Sequence, residues 1–204
     1  MSDVYVPGGD PGSNHPQHLY PFLAELSALL KRYHPDAGMW TGMEKFEPDK
    51  AEWTYEYLNR EQPDWLAGIV AGPWDPGIDN MQANLPKKYP IRIYPDITHN
   101  LCSQFPVPWW DPALALTHGR EGPNPRPVDQ AILHRMNSRG TIGFITYSEG
   151  IHDDVNKIVW NLRGWDPDMS LVDVVRVYTR FFFGPDVAER AADGILALEE
   201  NWRG

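Results

Sequence analysis

Cysteine is almost absent: Cys102 is the single one in 204 residues. No disulfide can form within the chain, and the fold must rest on packing alone. Long apolar runs are also missing. None approaches the ~18 residues that a membrane-spanning helix needs, so no membrane partner is expected. Blocks of Lys or Arg do not occur, and the formal charge of −10 opposes a polyanion; nucleic acid is excluded as an expected partner on that ground. No glycine-rich phosphate loop follows a strand-like run, which argues against a nucleotide site. There is no Gly-x-Ser-x-Gly elbow, and neither Ser148 nor Cys102 has an identifiable base. His15, His99 and His152 lack the tight spacing of metal ligands, so neither a metal nor another cofactor is expected. The N-terminus has no basic-then-apolar secretory pattern. That absence leaves the compartment undecided if Met1 is not the native start, and a secreted or periplasmic setting stays open for a full-length protein.

Tryptophan and proline are abundant, with 9 and 20 copies. The 42% hydrophobic and 23% charged content is that of a folded chain able to build a core. Several tryptophans stand beside Gly, Pro or Asp, in loop-like sequence. Flat aromatic loops suit the apolar faces of sugars as well as they suit packing.

Along the chain, strand-like and helix-like segments alternate. "DVYVP" reads as a short strand ending at Pro7, followed by Leu19, Phe22, Leu23, Leu26, Leu29, Leu30 and Tyr33 at helical spacing. "AGMWTG" (37–42) is strand-like, and 48–59 is a helix opened by Pro48 or Asp49. The runs 65–73, 89–97 and 141–150 read as further buried strands, alternating with helices at 78–84, 127–137 and 153–162. Apolar strands separated by helices predict an α/β fold with a parallel sheet. Of the parallel architectures, a TIM-barrel-like (β/α) segment of about five strand–helix units fits better than an open doubly wound sheet, because most strands end in a polar cluster. Two further helices close the chain, one carried by Leu171, Val174, Val175, Tyr178 and Phe182, the next by Val187, Ala191, Ile195, Leu198 and Trp202. Gly184 and Pro185 break them apart. The expected division is therefore a barrel region, 1–165, and a helical extension, 166–204. A closed barrel needs eight strands. The chain is accordingly expected to be the C-terminal part of a longer barrel, with "DVYVP" as its fourth strand.

Candidate site residues sit at the strand ends. Asp10 lies in "PGGDPGSNHP", Trp40 in "GMWTG", Tyr94, Asp96 and His99 in "YPDITHN", and Tyr147, Glu149 and Asn156 in "TYSEGIHDDVNK". In a barrel, Asp10, Asp96 and Glu149 project into one mouth. Carboxylates around one cavity are what hydrolysis of a glycosidic bond requires: one protonated to assist the leaving oxygen, another ionised to activate water or attack the anomeric carbon. Asp10 is expected as general acid, Glu149 as base or nucleophile, and Asp96 as the group that orients or tunes one of them. Trp40, Tyr94, Trp109, Trp110 and Tyr147 would supply a stacking platform, and His99 or Asn156 the hydroxyl contacts. Simpler roles compete: Asp10 as a turn residue, Asp96 and Asp153 as helix caps, and the Trp109–Trp110 pair as a plug at the rim. Glu149, directly before a glycine, has no such turn or cap role.

With "PGGDPG", "YPIRIYPDITH", "NPRPVDQ", "TYSEGIHDDVNK", "YTRFFFGPD" and "ALEENW" in this order, the chain resembles the barrel and helical tail of large bacterial glycoside hydrolases. The group in question is that around α-glucuronidases and β-N-acetylhexosaminidase-like enzymes. The resemblance implies an O-glycosyl hydrolase of polysaccharide degradation, with the acid of the fourth strand at Asp10 and further carboxylates at Asp96 and Glu149. Hexosaminidases carry two adjacent acidic residues at the fourth strand, whereas Asp10 stands alone, so acetamido assistance is not implied. A glucuronide would call for a cation, for which Arg92, Arg126 and Lys157 are available. The alternative expectation is a carbohydrate-binding or scaffold protein on a catalytically dead barrel, and a lone C-terminal fragment would itself be inactive.

Overall fold

Proline opens helices here because its missing N–H is not needed in a first turn and its φ is already helical. Pro16, Pro48 and Pro127 each begin one. In the computed structural model, residues 3–10, 12, 14–98, 104–105, 125–148 and 153–201 are described. They form an α/β structure of several parallel β-α-β units, and no closed barrel occurs among them. Packing divides the chain into one unit of Met1–Tyr94 with Gly140–Ile145, and another of Pro95–Arg139 with Thr146–Gly204.

The first unit runs β1 (Asp3–Val6), α1 (Pro16–Tyr33), β2 (Gly38–Gly42), α2 (Pro48–Glu61), β3 (Leu66–Ala71), α3 (Ile78–Asn84) and β4 (Ile91–Ile93). All four strands are parallel and neighbours in chain order, β1-β2-β3-β4. Segment 140–145 adds to β4: Phe144 bridges Ile93 in parallel, and Ile93 N–H donates to the Gly143 carbonyl at 3.0 Å. Right-handed crossovers that always step in one direction put every helix on the same face. The helices accordingly touch in sequence. Tyr20 of α1 meets Trp53 and Tyr57 of α2, and Tyr55 of α2 donates to Asn80 of α3 at 2.7 Å.

On the helix-facing side, Met39, Thr41, Ile69, Ile91 and Ile93 are buried. The opposite face carries Asp3, Tyr5, Trp40, Gly68 and Arg92 in register. Trp40 fills it. Its indole N–H donates to Asp3 at 3.1 Å, the Arg92 guanidinium lies 3.8 Å from its ring centroid, and Arg92 pairs with Asp3 at 3.0 Å. Position 68 is glycine because a Cβ there would overlap this ring.

The second unit pairs β5 (Asp96–Thr98) in parallel with β6 (Tyr147–Ser148) and adds four helices. These are α4 (Pro127–Asn137), α5 (Asp154–Trp165), α6 (Leu171–Phe183) and α7 (Ala188–Glu200). Ala131, Val159 and Val174 form one apolar cluster, and Val155, Val175 and Ala192 another. Glu199, buried on α7, accepts the Val128 and Asp129 N–H groups at 2.7 and 2.8 Å and so caps α4 from outside.

Several expectations change. The single strand expected at 89–97 is two strands, broken at Tyr94–Pro95, where proline cannot donate to a ladder. The run 141–150 does pair, but Ile142 and Ile145 are exposed, so it is not a buried strand. On α1 the buried face is Pro16, Tyr20, Leu23 and Ser27, with Phe22, Leu29 and Tyr33 exposed. On α7 it is Ala188, Ala192 and Glu199, one residue round from the expected stripe, because small residues let α6 approach. Asp153 occupies the cap position of α5 without a side-chain cap bond; its carboxylate pairs instead with Lys157 at 3.0 Å and takes the Ser148 hydroxyl.

Candidate active site

The loop after β1 explains its glycines. Gly9 N–H donates to the Glu44 carbonyl at 3.0 Å, and a Cβ on Gly8 or Gly9 would overlap the Gly42 or Glu44 carbonyl. The close neighbour that excludes side chains is therefore the exit of β2. Asp10, carried just beyond, is half-exposed and forms an ion pair with Lys45 at 3.0 Å.

The exits of β1 to β4 bring Tyr94, an expected site residue, together with three that the sequence reading passed over. Tyr5 lies near the end of β1, Glu44 two residues past β2, Asp75 four past β3, and Tyr94 directly after β4. The Tyr5 and Tyr94 rings meet edge-on at 6.5 Å. A Cβ on Gly72 would lie 3.9 Å from Glu44 Oε2 and 3.1 Å from the Tyr94 ring, while Gly72 N–H donates to Asp75. Burial, then the charges of Glu44, the Tyr94 phenol and Asp75, push the Tyr5 phenol well above its usual range. The four groups thus act on one another. Tyr5 Oη is buried and has no hydrogen-bond partner among the described residues.

Asp75 is the group whose chemistry is most altered. Burial pushes its carboxyl up to about 6, against the N–H groups of Gly77 and Gly72, which pull it down. Its Oδ1 accepts from Gly77 at 2.7 Å. A groove of about 360 Å³ opens on it, with Glu52, Tyr55 and Asn80 along the walls. Beside it, Lys45 and Trp74 both adopt positive φ, 56° and 57°, and are joined by a Lys45 N–H···O bond to the Trp74 carbonyl of 2.9 Å. Each non-glycine residue in that region costs on the order of 1–3 kcal/mol, and such strain gathers at functional sites. Trp74 remains 43% exposed, with Lys45 Nζ 5.3 Å from its ring centroid.

The other expected residues fall as follows. Trp40 is only 4% exposed, with Arg92 over its ring, so it packs the sheet and offers little surface to a ligand. Asp96 belongs to the second unit and is fully buried; its N–H donates to Gln104 at 3.0 Å. Tyr147, half-buried, is its partner in the β5–β6 pair. Asn156 is buried with its amide oxygen on Arg126 N–H at 2.9 Å, which makes it a brace for the start of α4. Glu149, His99, Trp109 and Trp110 lie outside the described residues. Among those that are described, no group of three or more His, Cys, Asp or Glu side chains is arranged to hold a metal ion. Glu44 and Asp75 were reachable from sequence by the rule already applied to Asp10, that functional groups follow parallel strands at their C-terminal ends. "TGMEKF" and "GPWDPG" read locally as turns, which hid them.

No protein-family model, curated protein or solved structure matches the chain.

Proposed function

We propose that this chain carries a glycoside-hydrolase-type site at the C-terminal edge of the first unit's sheet. The observation that supports it is the convergence of Tyr5, Glu44, Asp75 and Tyr94 from four successive strand exits, with Asp75 pushed up to about 6. A sheet wound in one direction, with its helices on one face, is the construction of a (β/α) barrel, in which the strand exits carry the chemistry. In this reading Asp75 gives its proton to the leaving glycosidic oxygen as the C–O bond breaks. Glu44 takes a proton from the attacking water, or itself bonds the anomeric carbon. The unpartnered Tyr5 hydroxyl is free to bond a sugar oxygen, and exposed Trp74 offers a stacking face. Asp10, ion-paired to Lys45, stands at the rim instead of acting as the acid.

The test is release of 4-nitrophenol from a panel of aryl glycosides, glucuronides included. Turnover should fall as pH rises through about 6, where Asp75 loses its proton. Glu44→Gln and Asp75→Asn should each lose on the order of 100-fold or more with the far-UV circular dichroism unchanged. Undiminished turnover in Glu44→Gln would sink the assignment.

One observation favours a second reading, a carbohydrate-binding module without catalysis: Trp74 is held in a strained backbone conformation with its ring exposed. That protein would show sugar-dependent quenching of tryptophan fluorescence, abolished in Trp74→Ala, and no release from any glycoside.

A further inference from the structure

Arg163 of α5 is an arginine that the second unit buries without a counter-ion. It is 7% exposed, and its guanidinium donates to the Pro167 carbonyl at 2.9 Å and the Met169 carbonyl at 3.3 Å. Its Nε–H has no partner, and no carboxylate pairs with it among the described residues. Buried charges in folded proteins are paired, because desolvation costs several kcal/mol per ion unless an opposite charge offsets it. The two carbonyls cap its amino groups, but its positive charge is not neutralised among the described residues.

Room for an anion exists. Arg163 lines a groove of about 670 Å³ between α4 and the turn that leads from α5 into α6. That is the size of a small-molecule site. Arg135, exposed on α4, and Arg139, exposed in the turn just past its end, stand along the same groove. Ile132, Met169 and Leu171 give it apolar walls, and Ile132 is 52% exposed there. Asp168 is the one acidic residue in the lining, and it is exposed at the edge. The arrangement has a cationic floor, a second cationic rim and an apolar flank. Inorganic anions would use only the first two.

We infer that this groove binds an amphipathic organic anion, with an oxyanion head held by Arg163 and Arg135 and an apolar body lying along Ile132 and Met169. The site is separate from the one proposed for glycoside hydrolysis and does not depend on it. Arg163 keeps its Nε–H and the second N–H of each amino group for an oxyanion, and the guanidinium fork of Arg135 suits a planar carboxylate or a tetrahedral phosphate.

Calorimetric titration of the whole chain tests it, with phenyl phosphate as the probe and inorganic phosphate and phenol as its two halves. Phenyl phosphate should bind at least about tenfold more tightly than either half, since both head and body contribute. Arg163→Gln should abolish binding. Because that variant removes two bonds to the 167–169 turn and can unfold the unit, Arg135→Gln is the companion: exposed and without a partner among the described residues, it should weaken binding roughly three- to tenfold. Asp168→Asn should tighten it. Absence of any heat with phenyl phosphate overturns the inference. So does equal affinity for phenyl phosphate and inorganic phosphate, or full binding by both arginine variants, which would leave Arg163 as a brace of its turn.

Discussion

Two titratable side chains, the half-buried Asp75 of the first unit and the buried His134 of the second, give opposite pH slopes. Asp75 has an ordinary value of 3.8, and burial holds it at about 6 in the folded chain. Between those values the folded state binds more proton than the unfolded state, so Asp75's contribution to stability falls as pH rises from about 4 to 6 and stays low above that. His134 behaves the other way. Burial first, and then the nearby Arg163 charge, hold its imidazole below the ordinary value of 6.5. Just below 6.5 the unfolded state binds more proton, so stability falls as pH drops from there towards the folded-state value, and then levels off. Thermal midpoints measured from pH 4 to 8 should separate the two: Asp75→Asn flattens the decline on the rise to pH 6, and His134→Gln flattens the decline on acidification below 6.5. A slope unchanged in either variant would remove that residue from the account. The strand-exit rule reaches Asp75 as a position, but local sequence does not reveal the shift of either group. "WDPG" is a common turn, and what distinguishes Asp75 is the desolvation that arises only once α2 and α3 close over the exit of β3.

At the level of elements, starts and stops were far more legible than faces. The helices at 78–84 and 127–137 form over the ranges that their sequence predicts, and Gly184 ends α6 with φ 93°. Proline, glycine and capping chemistry act within a turn and can be read there. Which side of a helix is buried depends on the partner. Thus Phe22 and Tyr33 are exposed on α1, and α7 turns Ala188, Ala192 and Glu199 inward. Glu199 shows the energetic consequence. It satisfies two first-turn N–H groups of a helix that is more than 70 residues away in the chain. Glu199→Ala should cost about 1–3 kcal/mol, because it leaves buried donors unmade. Glu199→Gln, which keeps one carbonyl acceptor, should cost less, and the exposed neighbour Glu200→Ala should cost almost nothing. Chemical denaturation would check the series, and equal losses at 199 and 200 would refute the cap.

For the molecule as a whole, chain order and packing order differ. The first unit is completed by Gly140–Ile145, which arrives after a long excursion into the second. A chain stopped at Tyr94 would therefore expose the Ile91–Ile93 edge, whose backbone groups are paired by residues 142–145 in the full protein. Unpaired apolar edges seek other strands. The truncated chain should associate on size-exclusion chromatography, and a well-behaved monomer of 1–94 would refute the role given to 140–145.

By itself the sequence determined the α/β alternation, the parallel pairing and most element ends. These follow from apolar spacing, proline and glycine, all of which act over a few residues. It also determined that no disulfide staples the chain. Only the tertiary structure decided which carboxylates matter. It gave Asp10 a lysine and set Trp40 inside the sheet. It brought Glu44 and Asp75 to Tyr5 and left Arg163 buried with no carboxylate beside it among the described residues. Desolvation and charge neighbourhood are properties of what surrounds a side chain. In this protein those surroundings are assembled from strand exits and helices that are distant in the chain.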